Sequence, residues 1–166
     1  MCSYLGFIIR ERLNKKSDNM IYDVLDIAEY IIKRSWEMGD CINCLKLQKI
    51  LYFVQAQFMV SENYPCFSEK IEAWEFGPVI PIVYRKYIKF GNATLFDDYI
   101  TQDFDYISDE DKENIDAVIK MALPYSSAEL VKITQNQLPW MDAIVRRDKE
   151  ITNEALREYF HNDDNE

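Results

Sequence analysis

A chain of 166 residues has room for one domain and one core. Hydrophobic residues make up 48% and aromatics 14%, which excludes an intrinsically disordered chain, and eleven Tyr with nine Phe read first as a large core, with a binding surface as the second reading. The formal charge of -10, from 29 acidic against 19 basic residues, repels phosphate backbones and anionic leaflets; nucleic acid and membrane are therefore poor partners, and a basic protein is a better one.

Four cysteines, Cys2, Cys41, Cys44 and Cys66, are too few in a chain this long for a disulfide framework. The apolar run at residues 4–9 is too short for a signal peptide and no basic residues precede it. Residues 50–60 are broken by Gln55 and Gln57 and cannot span a bilayer. The cytoplasm is the simplest address. Arg10, Arg12, Lys15 and Lys16 cluster before the polar connector Ser17-Asp18-Asn19, so residues 1–20 read as an N-terminal extension or arm. Residues 21–160 read as one helical domain and residues 161–166 as an acidic, disordered tail.

In chain order, Val24, Ile27, Ala28, Ile31 and Ile32 trace the stripe of an amphipathic helix, capped by Asp23 and ended by Gly39 in a left-handed turn. Asn43 caps a second helix to about Val60. Its apolar residues (Leu45, Leu47, Ile50, Leu51, Tyr52, Phe53, Val54, Ala56, Phe58) fall on most sides, so it should be the buried centre. Residues 70–76 alternate in part and read as a short strand or hairpin, stopped by Gly77-Pro78. Pro81 opens a third helix that packs Val83, Tyr84, Tyr87 and Ile88 and stops at Gly91. Residues 92–107 lack a period and read as a long acidic connection. Ser108 caps a helix with three acidic residues in its positive first turn and Ile115, Val118, Ile119 and Ala122 inward, ended by Pro124. Ser126 and Glu129 form a capping box for a short helix through Thr134. Pro139-Trp140 starts another, with Met141, Ile144 and Val145 inward. Thr152 caps the last, with Ile151 and Leu156 at staple spacing. The expected fold is mainly α: a single compact domain of six to seven helices with a minor β element near residues 70–76.

Candidate chemistry is sparse. Cys41-Ile42-Asn43-Cys44 has the CxxC form, but the other donors for a zinc site, Cys66, Cys2 and His161, lack motif spacing, and a helix precedes the pair where a redox motif needs a strand. A reactive thiol at the helix start is the weaker option. His161, the only histidine, stands near the C-terminus, poorly placed for acid–base work. Asp97, Asp98, Asp103, Asp105 and Asp109 lack the central Gly and terminal Glu of a calcium loop and read as a solvated acidic surface. No phosphate-binding glycine motif is present. These readings assign no cofactor, no metal and no catalytic residue.

Three segments resemble the Panacea, or SocA-like, antitoxin family, also labelled phage-associated protein. They are Leu45-Lys46-Leu47-Gln48-Lys49-Ile50-Leu51-Tyr52, then Glu72-Ala73-Trp74-Glu75-Phe76-Gly77-Pro78-Val79-Ile80-Pro81 with Tyr84, then Thr134 through Pro139-Trp140. The family shows KLQK-hydrophobic-LLY, EAW-x-aromatic-GPV-x-P-x-x-Y and TH-x-E-x-PW, and the resemblance runs from about Ile21 to Phe160. The His and Glu of the third segment are Gln135 and Gln137 here, which fits a structural or recognition role better than proton transfer.

The resemblance implies antitoxins that neutralise diverse toxins, mostly by direct contact and in at least one type as an adaptor delivering the toxin to a protease. The expected partners are a cognate toxin encoded nearby and, in the adaptor mode, a cellular protease. The expected motif residues are Lys46, Gln48, Lys49, Tyr52, Glu72, Trp74, Glu75, Phe76, Gly77, Pro78, Val79, Tyr84, Pro139 and Trp140. Lys46 and Lys49 should cover the core with their stems and reach Glu72 or Glu75 with their ammonium groups. Gly77-Pro78 should permit a sharp strand-to-helix turn. Trp74 and Trp140 should be anchors, Trp74→Ala costing about 3–5 kcal/mol. The plainest reading of the set is architectural, with partner binding dependent on the shape it builds. Two rivals are a mobile-element regulatory protein touching DNA through residues 10–16, and a hydrolase using carboxylates or the Cys41/Cys44 pair.

Overall fold

The computed structural model describes residues 19–96, 98 and 100–162. The basic cluster at residues 10–16, Cys2, Asp97 and residues 163–166 lie outside the described residues, so the arm invoked by the DNA-binding rival and most of the expected acidic tail do too. Among the described residues there are seven α-helices and a three-stranded antiparallel sheet. The chain is mainly α, as its periodicity predicts.

Helix α1 (Val24–Glu37) starts where the Asp23 side chain accepts from Leu25 N–H and ends at Gly39, whose φ of +88° suits a left-handed C-terminal turn. Helix α2 (Cys44–Ser61) is capped by the Asn43 side chain, and nearly every residue of it is buried. It is the axis of the domain: α1, α4 (Asp109–Ala122), α5 (Ser127–Gln135) and α7 (Asn153–Asn162) all pack on it. Ser108 caps α4, and the box of Ser126 and Glu129 caps α5 with both reciprocal bonds present. At α7 the Thr152 hydroxyl accepts from Ala155 N–H, and Ile151 and Leu156 are both buried. His161 falls in the last turn of this helix.

The sheet has the order β2-β1-β3, with β1 (Ile71–Trp74) between β2 (Gly77–Val79) and β3 (Glu150–Ile151). Its register pairs Trp74 with Gly77 and Glu72 with Val79 on one side, and Ile71 with Ile151 on the other. Gly77-Pro78 therefore begins a second strand. It neither stops the first nor turns into a helix; the two-residue reversal is Glu75-Phe76. The turn into α3 (Pro81–Tyr87) falls instead at Ile80, just before its Pro81.

Two helices turn differently from the periodicity. Ile88 leaves α3 for a 3-10 turn (Ile88–Phe90) and is exposed, because the register changes where the helix tightens. Helix α6 (Leu138–Ile144) buries Pro139 and Ala143 and packs Ile144 against the core as expected, but leaves Met141 and the following Val145 exposed, Val145 by 83%, where the sequence reads both as inward. A two-turn helix carries too few residues for an apolar pattern to fix its facing. The irregular connection after α3 contributes Leu95, Phe104 and Ile107 to the core, each inserted singly, with the Phe104 ring edge-on to Tyr30 at 5.3 Å. No helix among the described residues is long and apolar enough to cross a membrane.

Candidate functional site

The expected motif residues converge on the β1–β2 hairpin and the two helices that hold it, and they divide into a buried seat and an open cleft. The seat follows from backbone accounting. Strand β2 pairs with β1 on one edge, and its other edge must find partners away from water. Helix α2 provides them from side chains. The Lys49 ammonium donates to the Pro78 carbonyl at 3.0 Å. The Gln48 amide oxygen accepts from Ile80 N–H at 2.7 Å, and its NH2 group faces the Ile80 carbonyl at 3.4 Å. Pro78 brings no N–H, so one donor satisfies it. Gln48 and Lys49 thus stand where a fourth strand would stand.

Gly77 makes this seat possible. Its φ is +93°, and a Cβ there would lie 2.8 Å from both Lys49 Cε and Thr134 Oγ1. Thr134 is buried on α5, its hydroxyl bonded to the Leu130 and Val131 carbonyls. Tyr52, one turn beyond Gln48, donates to the Gln137 amide oxygen at 2.9 Å, and both groups are buried. The third segment is thereby tied to the first: Gln137 is the acceptor of a buried hydroxyl, a role that only the folded contact reveals.

The lysines do not reach Glu72 or Glu75. Lys49 is fully buried and meets a carbonyl, and burial pulls its pKa down to about 7, with Cys44 opposing weakly. Lys46 turns the other way, donating to the Leu123 carbonyl at 2.8 Å and facing Asp40 at 3.4 Å, which ties the start of α2 to the end of α4. Burial pushes the Cys44 thiol up, the wrong direction for a nucleophile. Cys41, Cys44 and Cys66 are free thiols, and no group of three or more His, Cys, Asp or Glu among the described residues could hold a metal ion.

Above the seat lies a cleft of about 530 Å3, lined by Cys44, Gln48, Trp74, Glu75, Phe76, Val79, Tyr84 and Ile88 among others. Trp74 is half-buried, its ring edge-on to Tyr84 at 5.0 Å and its indole N–H on the Glu72 carboxylate at 2.7 Å. Trp140 donates its indole N–H to the Trp74 carbonyl at 3.0 Å, which fastens α6 to the hairpin, with Pro139 buried behind it. Gln135 donates to the Glu75 carbonyl at 2.8 Å. Held at both ends in this way, the reversal presents Phe76 outward at 61% exposure. Leu138 and Met141 of α6, and Val145 just after it, are exposed as well. Leu45 and Asn92 also line the cleft, and of these Asn92 carries no local pattern that marks it.

Comparison with known proteins places the chain in a family. Residues 47–141 match the family model described as antitoxin SocA-like, Panacea domain, a span that contains the hairpin, α5 and most of α6. Antitoxin SocA of Caulobacter vibrioides is 33% identical over 86 residues, covering 52% of this chain and 46% of that protein. The alignment thus spans about half the length of the curated relative. No solved structure matches.

Proposed function

The chain belongs to the antitoxin SocA-like, Panacea-domain family, and from that premise we propose that it neutralises a cognate protein toxin by direct protein–protein contact. Family membership is the observation on which this rests. The cleft supports it: four of the motif residues that reach the surface, Trp74, Glu75, Phe76 and Tyr84, gather in one place and include the exposed aromatic of the hairpin tip. Rigid aromatic side chains on a fixed backbone are good anchors, because little conformational entropy is lost when they dock. The seat would then orient the cleft, with residues 21–160 as the working domain and no catalytic step assigned to any residue. The toxin would be encoded nearby and met in the cytoplasm.

The test is to express the neighbouring gene alone and together with this one. Growth arrest by the neighbour, relieved by co-expression and recovered as a stable complex on purification, is the expected result. Toxicity that co-expression does not relieve would reject the role. Relief that depends on a cellular protease would assign the adaptor mode instead of steric neutralisation.

A further inference from the structure

We infer that the hairpin-tip cleft is an anchor site for a basic side chain, arginine or lysine, carried on an otherwise apolar segment of a protein partner. The inference rests on the antitoxin reading only for the partner's identity as a toxin; the chemistry of recognition comes from the cleft.

The lining contains one charged side chain, Glu75. Its backbone carbonyl is held by Gln135, and no described residue bonds its carboxylate. The neighbouring Glu72 carboxylate, by contrast, already accepts from the Trp74 indole. Nearby cations are engaged elsewhere: Lys86 pairs with Glu29 at 2.6 Å, and Lys89 sits over the Phe90 ring at 5.1 Å. Arg85 is not among the lining residues. The walls are aromatic, from Trp74, Phe76 and Tyr84, and ring faces attract a cation and repel an anion. A neutral anchor would cover the Glu75 carboxylate without satisfying it, which costs binding energy. An acidic anchor would add like-charge repulsion. A basic anchor satisfies both the carboxylate and the rings. The cleft holds more volume than one side chain, so the occupant is a chain segment whose apolar part lies along Val79, Ile88 and Leu45. The net charge of -10 favours the approach of such a partner to the protein as a whole.

The test uses the full chain and matched leucine-flanked peptides with a central arginine, lysine, norleucine or glutamate, titrated against the NMR signal of the Trp74 indole N–H. Arginine and lysine peptides should shift that signal and glutamate peptides should not. Glu75→Gln, at an exposed site that leaves the fold unchanged, should weaken the basic peptides roughly three- to tenfold. Equal binding of the glutamate or norleucine peptides, an unchanged preference in Glu75→Gln, or no shift with any peptide would overturn the inference. The two proposals fail separately. A toxin neutralised equally well by wild type and by Glu75→Lys would remove the basic anchor and leave the antitoxin role standing, while a neighbour without toxicity would remove the role and leave the peptide result intact.

Discussion

The hairpin's two halves use the same motif for opposite ends. At its base, Gln48, Lys49, Gly77 and Thr134 are buried, and each polar atom has a partner fixed by backbone geometry. At its tip, Trp74 and Tyr84 are half-buried, while Glu75 and Phe76 stand in solvent. The same set of motif segments thus contains both the parts that build a shape and the parts that shape displays. Substitutions at the base should change stability, and substitutions at the tip should change binding.

The largest effect should come from Gly77→Ala. The positive φ and the 2.8 Å approaches to Lys49 and Thr134 act together, since both side chains are buried and hydrogen-bonded. A loss of about 3–5 kcal/mol in urea unfolding is expected. A near-neutral result would mean that the seat is looser than its geometry.

Lys49→Met tests the seat through pH. The Lys49 amine titrates at about 7 in the folded protein against an ordinary 10.5. Below about 7 both states hold the proton and this group gives no slope. Between the two values the unfolded chain binds a proton that the folded chain does not, so stability rises with pH by up to about 1.4 kcal/mol per unit. Wild type should show that rise and Lys49→Met should lack it; parallel profiles would place the ammonium in water. The variant also leaves the Pro78 carbonyl without its donor, at a pH-independent cost of about 1–3 kcal/mol.

Trp74→Ala should cost less than a full core anchor, about 2 kcal/mol, because the ring is half-buried and the cavity left behind opens to solvent. A loss of 3 kcal/mol or more on thermal or urea unfolding would move Trp74 from the tip to the base. Phe76→Ala should be the mildest, within about 0.5 kcal/mol of wild type.

Much of this arrangement was legible in the sequence where the information is local. Caps at Asp23, Asn43, Ser108, Ser126 and Thr152 fix helix starts through bonds two or three residues away, and the all-round apolar character of residues 45–58 marks the central helix. What escaped depends on contacts between distant segments. Gly77-Pro78 reads as a stop until Lys49 and Gln48 are seen completing the outer edge of β2. Gln137 reads as a lost acid until Tyr52 is found donating to it. The lysines could be read as covering the core, but not that one would end on a carbonyl beneath a glycine. The apolar residues of α6 read as inward because no pattern distinguishes a short helix serving the core from one displaying its side chains.

The most direct measurement is calorimetric titration of the purified neighbouring toxin with wild type and Phe76→Ala, alongside their urea midpoints. The account predicts at least a tenfold loss of affinity with overlapping unfolding curves. Unchanged affinity would contradict it, and so would an affinity loss that tracks a matching loss of stability.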